Sequence, residues 1–161
     1  MAASAWKVFG LAKRKMGTNG LLLSSGVFKM ALHTTGASAA LVSGRSVAVT
    51  GNYSLWSSIG SEIGVSSGKY ATGGVTVPVV KWSVGANQST MKFTYSATGV
   101  IITASAGSMT NVRYAVIRTS TAAADGVPIC YAALSTAQFT IATPNTLTIL
   151  PAATGVFTLG G

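Results

Sequence analysis

The chain holds few side chains able to do chemistry. Its acidic residues are Glu62 and Asp125, its one histidine is His33 and its one cysteine is Cys130. General acid-base work by a carboxylate pair would need folding to join Glu62 to Asp125, which lie far apart in segments that look like a loop and a turn. The bland reading is two solvated loop charges. A Ser-His-Asp set would have to recruit His33 and Asp125 with no nucleophile-elbow sequence to mark the serine. As a metal ligand His33 lacks a second histidine and any thiolate cluster, so it reads as a polar residue at the end of a strand over Phe28 to Leu32. Cys130 lies in an apolar run between Ile129 and Tyr131, the setting of a buried small residue and not of a reactive thiol. One cysteine also excludes an intramolecular disulfide framework. These residues point to no catalytic site, no metal site and no cofactor.

Gly64-Val65-Ser66-Ser67-Gly68-Lys69-Tyr70 has the glycine-plus-lysine texture of a phosphate-binding loop. The motif needs four residues between its glycines and Ser or Thr after the Lys, and here three residues and then Tyr70 occupy those places. A turn-rich connection is the better account. Asn52-Tyr53-Ser54 and Asn87-Gln88-Ser89 match the glycosylation pattern, without other support for a secretory route. The opening stretch is not continuous enough in apolar residues for a signal peptide, and no run reaches the roughly eighteen apolar residues of a membrane span.

Charge is the strongest compositional signal. Only 8% of the 161 residues are charged, against about 25% in an ordinary soluble domain. Eleven Lys and Arg face two acids, a formal net charge of +9. A neutral surface of this kind points to faces covered by partners, and the imbalance to an acidic one. Lys7, Lys13, Arg14 and Lys15 gather near the start, interleaved with Trp6, Phe9 and Leu11, before Gly17-Thr18-Asn19-Gly20 breaks the pattern. Residues 1–20 thus read as a basic arm, extended or forming a short helix. Pairs such as Lys92 with Phe93 and Arg113 with Tyr114 would suit single-stranded nucleic acid, but neighbours on a strand point to opposite faces, so one wet face and one core face is the simpler reading.

After Gly20 come brief runs rich in Val, Ile, Thr, Tyr and Phe between Gly, Ser, Asn and Pro, about ten candidate strands in all. They are Val27 to Leu32, Arg45 to Thr50, Val75 to Trp82, Met91 to Ser96, Val100 to Ala104, Val112 to Arg118, Ile129 to Leu134, Gln138 to Ala142, Thr146 to Leu150 and Val156 to Leu159. Pro78 assigns its run to a sheet edge or a bulge. Thr98-Gly99 suits a tight hairpin. Tyr53 to Ile63 is the other stretch with some helical period. The expectation is one all-β domain over residues 21–161, an antiparallel β-sandwich of jelly-roll type.

Several segments in order resemble a family of small structural proteins of tailed bacteriophages, encoded near head genes. They are Phe28-Lys29-Met30-Ala31-Leu32, the Glu-containing stretch Tyr53 to Ile63, Lys69-Tyr70-Ala71-Thr72-Gly73-Gly74-Val75, Thr110 to Val116 around Arg113 and Tyr114, Val127-Pro128-Ile129, and Thr146 to Ile149 followed by Gly155 to Leu159. Lys29, Tyr70, Gly73, Gly74 and Arg113 are the pattern positions, and the glycine-rich element is the most specific. This chain departs from the pattern in its scarcity of acids and its longer basic arm.

The resemblance implies a capsid decoration or cement protein: a non-enzymatic virion subunit on the outer surface of the capsid. It would bind the major capsid protein and its own copies as a homo-dimer or homo-trimer, without a membrane and without nucleic acid. Trp6, Phe9 and Leu11 would anchor the arm on the partner, and Lys7, Lys13, Arg14 and Lys15 would meet its acidic groups. A tail or head-to-tail connector component is the nearest alternative, and a nucleic-acid-binding module using the arm the next.

Overall fold

The computed structural model describes residues 4–17, 26–37, 59–63, 70, 73–84, 90–95, 98–120, 126–152 and 155–160. The strand expected over Arg45 to Thr50, the loop Gly64 to Lys69, both glycosylation patterns and Asp125 lie outside these residues. The fold is all-β with antiparallel sheets. Strand β1 (Lys7–Val8) leads into helix α1 (Gly10–Gly17). Then follow β2 (Phe28–Thr34), a 3-10 turn Thr35–Ala37, β3 (Val75–Thr76), β4 (Lys81–Val84), β5 (Thr90–Thr94) and β6 (Val100–Thr103). Strands β7 (Met109–Thr119), β8 (Pro128–Ala133), β9 (Phe139–Ile141), β10 (Thr146–Ile149) and β11 (Phe157–Gly160) complete the set.

The large sheet runs β1-β8-β7-β2-β3, with β9 also paired to β7; a three-stranded sheet runs β11-β5-β4, and β10 pairs with β6. These pairings give antiparallel layers without tracing a jelly-roll path. Alternation along β2 sends Phe28, Met30 and Leu32 to one face, beside Ile117 and Ala115 of β7. That face meets the three-stranded sheet, where Trp82, Phe93 and Phe157 are cross-strand neighbours. The Phe93 and Phe157 rings stack at 5.1 Å, and Phe28 meets Phe93 edge-on at 5.5 Å. Such pairs add about 0.5–1.5 kcal/mol beyond the area they bury.

The opposite face of β2 and β7, bearing Ala31, His33, Tyr114, Val116 and Arg118, is covered too. β2 therefore reads as an almost unbroken buried run and not as half-buried alternation. Part of the cover is the N-terminal segment. Lys7 and Val8 pair with Tyr131 and Cys130, the Phe9 ring lies 5.2 Å from that of Tyr131, and Ala12 is fully buried.

Several expectations meet the structure here. Within the arm the short helix forms as α1, and residues 4–17 dock on β8 of the chain's own sheet, where they cover Tyr131 and a ladder edge. The hairpin across Thr98-Gly99 does not form, since β5 pairs with β4 and β11 while β6 pairs with β10. Phe93 is needed between Trp82 and Phe157, so the chain changes sheets at that turn. The run Val75 to Trp82 is two strands in two sheets, divided at Pro78 and Val79, the latter at φ 45, and each strand lies at the edge of its sheet, as Pro78 led one to expect. In the Tyr53 to Ile63 stretch, the described residues Ile59 to Ile63 are turn and bridge, not helix.

Candidate functional site

The densest polar arrangement among the described residues is a buried clamp between β2, β7 and two connecting segments. β3 covers only Lys29 and Met30 on the outer side of β2. Past that point Ser61 to Ile63 take over: Thr34 N–H donates to Ser61 O at 3.0 Å and Ile63 N–H to Leu32 O at 2.9 Å. This docking carries the Glu62 carboxylate inward. Its Oε1 accepts from Gly73 N–H at 2.8 Å and lies 3.3 Å from the Tyr70 hydroxyl. Tyr70 Oη accepts from Leu32 N–H at 2.9 Å and sits 3.3 Å from Leu32 O, so its one proton serves two acceptors. Burial, with the neighbouring Glu62 charge second, pushes the phenol well above its ordinary range, and it stays protonated.

Arg118 grips the other side of the same peptide. Its Nε and Nη2 donate to Gly73 O at 3.0 and 2.8 Å, and Nη1 to Thr119 O at 3.1 Å. The side chain is 1% exposed. Burial lowers the guanidinium's affinity for its proton and the Glu62 charge opposes that shift. Gly73 thus hands its N–H to a carboxylate and its C=O to a guanidinium, a charge-assisted bond on each side. Gly74, at φ 93, follows with its backbone against Met30. A Cβ there would come within 2.7 Å of the Met30 carbonyl carbon.

His33 lies beside Glu62 through a single bridge. It is 1% exposed, and Nδ1–H donates to Gly60 O at 2.7 Å. Burial lowers its pKa to about 4, with the bond to Gly60 opposing, so it is neutral near pH 7. The polar groups of this clamp address main chain and one another, an arrangement that fastens loops to a sheet.

The pattern positions divide. Tyr70, Gly73 and Gly74 meet in the clamp. Lys29 is half-buried on β2, the register partner of Arg118. Arg113 stands apart on β7, its guanidinium 5.5 Å from the Tyr114 ring centre and its Nε buried with no hydrogen-bond partner among the described residues. Of the expected partner-binding residues, Lys7, Lys13 and Arg14 are exposed, and Lys15, Trp6 and Leu11 are half-buried. Trp6 and Leu11 pack on the core. Phe9 is 6% exposed and packs on Tyr131, so it is corrected from a partner anchor to an anchor of this chain's own helix.

Glu62 is corrected likewise: it is no solvated loop charge, because the docked segment half-buries it and turns its carboxylate to Gly73 and Tyr70. His33 is a polar residue near the end of its strand, as expected, and it is buried. Arg118 was not singled out from sequence. The available signal was its alternation with Tyr114 and Val116 on a face that proves to be covered. Among the described residues no three His, Cys, Asp or Glu gather to hold a metal ion, and no helix is long and apolar enough to cross a membrane.

Fold and clamp together define a class: an all-β antiparallel sandwich with an ionic clamp between its sheet and two connecting segments. Family models, curated proteins and solved structures were compared with the chain, and none matches it.

Proposed function

We propose that this chain is a non-enzymatic structural subunit of a virus particle, a capsid decoration or cement protein that docks on the major capsid protein of a tailed-phage head. The observation that carries the reading is electrostatic. Eleven cations face two acids in the sequence, and Glu62 is committed inward to Gly73 and Tyr70. With a formal net charge of +9, the chain cannot itself supply the counter-charge for most of its cations, among which Lys7 and Lys13 are exposed. Further support comes from the resemblance stated above, since its most specific element, Tyr70 with Gly73 and Gly74, forms one physical unit here.

On this reading β1 and α1 present a preformed cationic surface to acidic groups of the shell. A protein that binds the assembled shell and not its separated subunits stabilises the shell by mass action, without chemistry. Cryo-electron microscopy of the intact particle tests this. Density at contacts between capsid subunits over the whole shell is expected; density at one vertex or along the tail would transfer the subunit to a connector or tail role, and absence from the particle would end the virion reading.

A further inference from the structure

We infer that the edge of β10 that no described strand covers is a self-association surface, where a second copy pairs strand to strand across a two-fold axis. The inference rests on the proposal that the chain acts by assembly. β6 and β10 form a two-stranded ladder, Thr146 to Ile149 opposite Thr103 to Val100. Its inward residues Val100, Ile102 and Ile149 are buried in the core. Its outward residues are Ile101, Thr103, Thr146, Thr148 and Leu150, with Ile101 55% and Leu150 59% exposed.

Among the described residues the edge is open on main-chain grounds. Ala104 N–H donates to Asn145 O at 3.1 Å. Bonded pairs alternate along an antiparallel ladder, so the main-chain groups of Asn145, Leu147 and Ile149 face β6. Those of Thr146 and Thr148 then face away, and no described strand lies on that side. A two-stranded sheet is marginal alone, and pairing two such ladders gives one of four strands.

Charge identifies the occupant as a second copy. A chain of net +9 repels its own copies wherever lysines and arginines stand. The sequence holds no charged residue from Phe93 to Val112 or from Gly126 to Gly161, which includes every residue of β6, β9, β10 and β11. The β10 edge is thus a place where two copies approach without facing like charges. With Thr146 opposite the second copy's Thr148, the axis passes at Leu147, and Ile101 and Leu150 flank the seam on one face. Such an isologous contact closes at two copies.

The test is light scattering and native mass spectrometry on the purified full chain over a concentration series. A dimer that grows with concentration and tightens as salt is raised is expected, since salt screens the repulsion between two cationic bodies. Thr148→Pro removes an outward N–H without touching the bonds to β6, and Leu150→Lys sets like charges at the seam. Each should weaken dimerisation roughly tenfold or more while the circular dichroism spectrum and melting temperature stay near wild type.

A wild-type chain that remains monomeric throughout overturns the inference. So does a dimer that both variants leave intact, because the contact then lies elsewhere. The free chain is used throughout, so failure here leaves the particle experiment standing, and absence from the particle leaves this result standing.

Discussion

The clamp around Gly73 and the ladder of β6 with β10 treat polar groups in opposite ways. In the first, a carboxylate, a guanidinium, a phenol and an imidazole are taken out of water to hold two connecting segments against β2 and β7. In the second, nothing is charged, and main-chain donors and acceptors are left facing outward. The clamp turns its ionic groups inward and the ladder leaves a neutral, hydrogen-bonding rim outside, while the exposed charge of the chain stands elsewhere, at Lys7, Lys13 and Arg14. Substitutions in the clamp should therefore be read in stability, and substitutions on the rim or on α1 in association.

The largest effect is expected at Arg118. Arg118→Met keeps much of the volume but leaves the Gly73 carbonyl without its two donors and Glu62 without its balancing charge. Breaking one side of a buried ionic network costs about 3–5 kcal/mol, roughly 6–20 °C in melting temperature for a domain of this size. Urea and thermal unfolding would measure it. A loss as small as a surface substitution gives would break the comparison, because the clamp would then not hold the sheet.

His33 sharpens the same side through pH. Burial lowers its folded pKa to about 4, from the ordinary 6.5 of an exposed imidazole. As pH falls from about 6.5 towards about 4, the unfolded chain takes up a proton that the folded chain refuses, so stability declines through that window and levels off below it. At 1.36 kcal/mol per unit the full effect is roughly 3 kcal/mol. His33→Gln retains a donor for Gly60 and should flatten the slope. An unchanged slope in the variant would show that His33 is not its origin.

Two glycines with positive φ give a paired measurement inside the clamp region. Gly74→Ala combines strain at φ 93 with a collision against Met30 and should cost about 2–4 kcal/mol. Gly60 is also left-handed, at φ 63, but a Cβ there meets nothing within 4 Å, so Gly60→Ala should cost only about 1 kcal/mol. Equal losses at the two sites would mean that close packing of Gly74 on β2 contributes nothing beyond its backbone angle.

The strands were legible because their signal is local. Val112 to Arg118, Ile129 to Leu134 and Thr146 to Leu150 declare themselves by β-branched runs between turn residues, and the structure places strands there. Pairing was not legible at Thr98-Gly99, where a good turn sequence yields to the aromatic stack that needs Phe93 between Trp82 and Phe157. The clamp was half legible: Tyr70, Gly73 and Gly74 stood out as a pattern, but Glu62 and Arg118 join them only through the register of Leu32 against Ile63 and of Lys29 against Arg118. Nothing local says which face of β7 will be covered twice. Phe9 misled for the same reason, since an amphipathic segment has the same sequence whether it docks on its own sheet or on a partner.

The smallest effect on stability and the largest on assembly are expected from the same substitution on α1. Lys13 and Arg14 are exposed, and Arg14 stands in the last helical turn, where a cation gains no more than about 0.3–1 kcal/mol from the helix dipole. Lys13→Glu with Arg14→Glu should therefore change unfolding free energy by less than about 1 kcal/mol while abolishing incorporation into particles, read by mass spectrometry of purified virions. A companion variant, Val8→Cys, sets a thiol opposite Cys130 at the Val8 to Cys130 register position and, once oxidised, fastens the segment to β8. Retained incorporation of the fastened chain would show that the helix acts as a preformed surface; loss with charge intact would show that the segment must leave its own sheet to reach its partner.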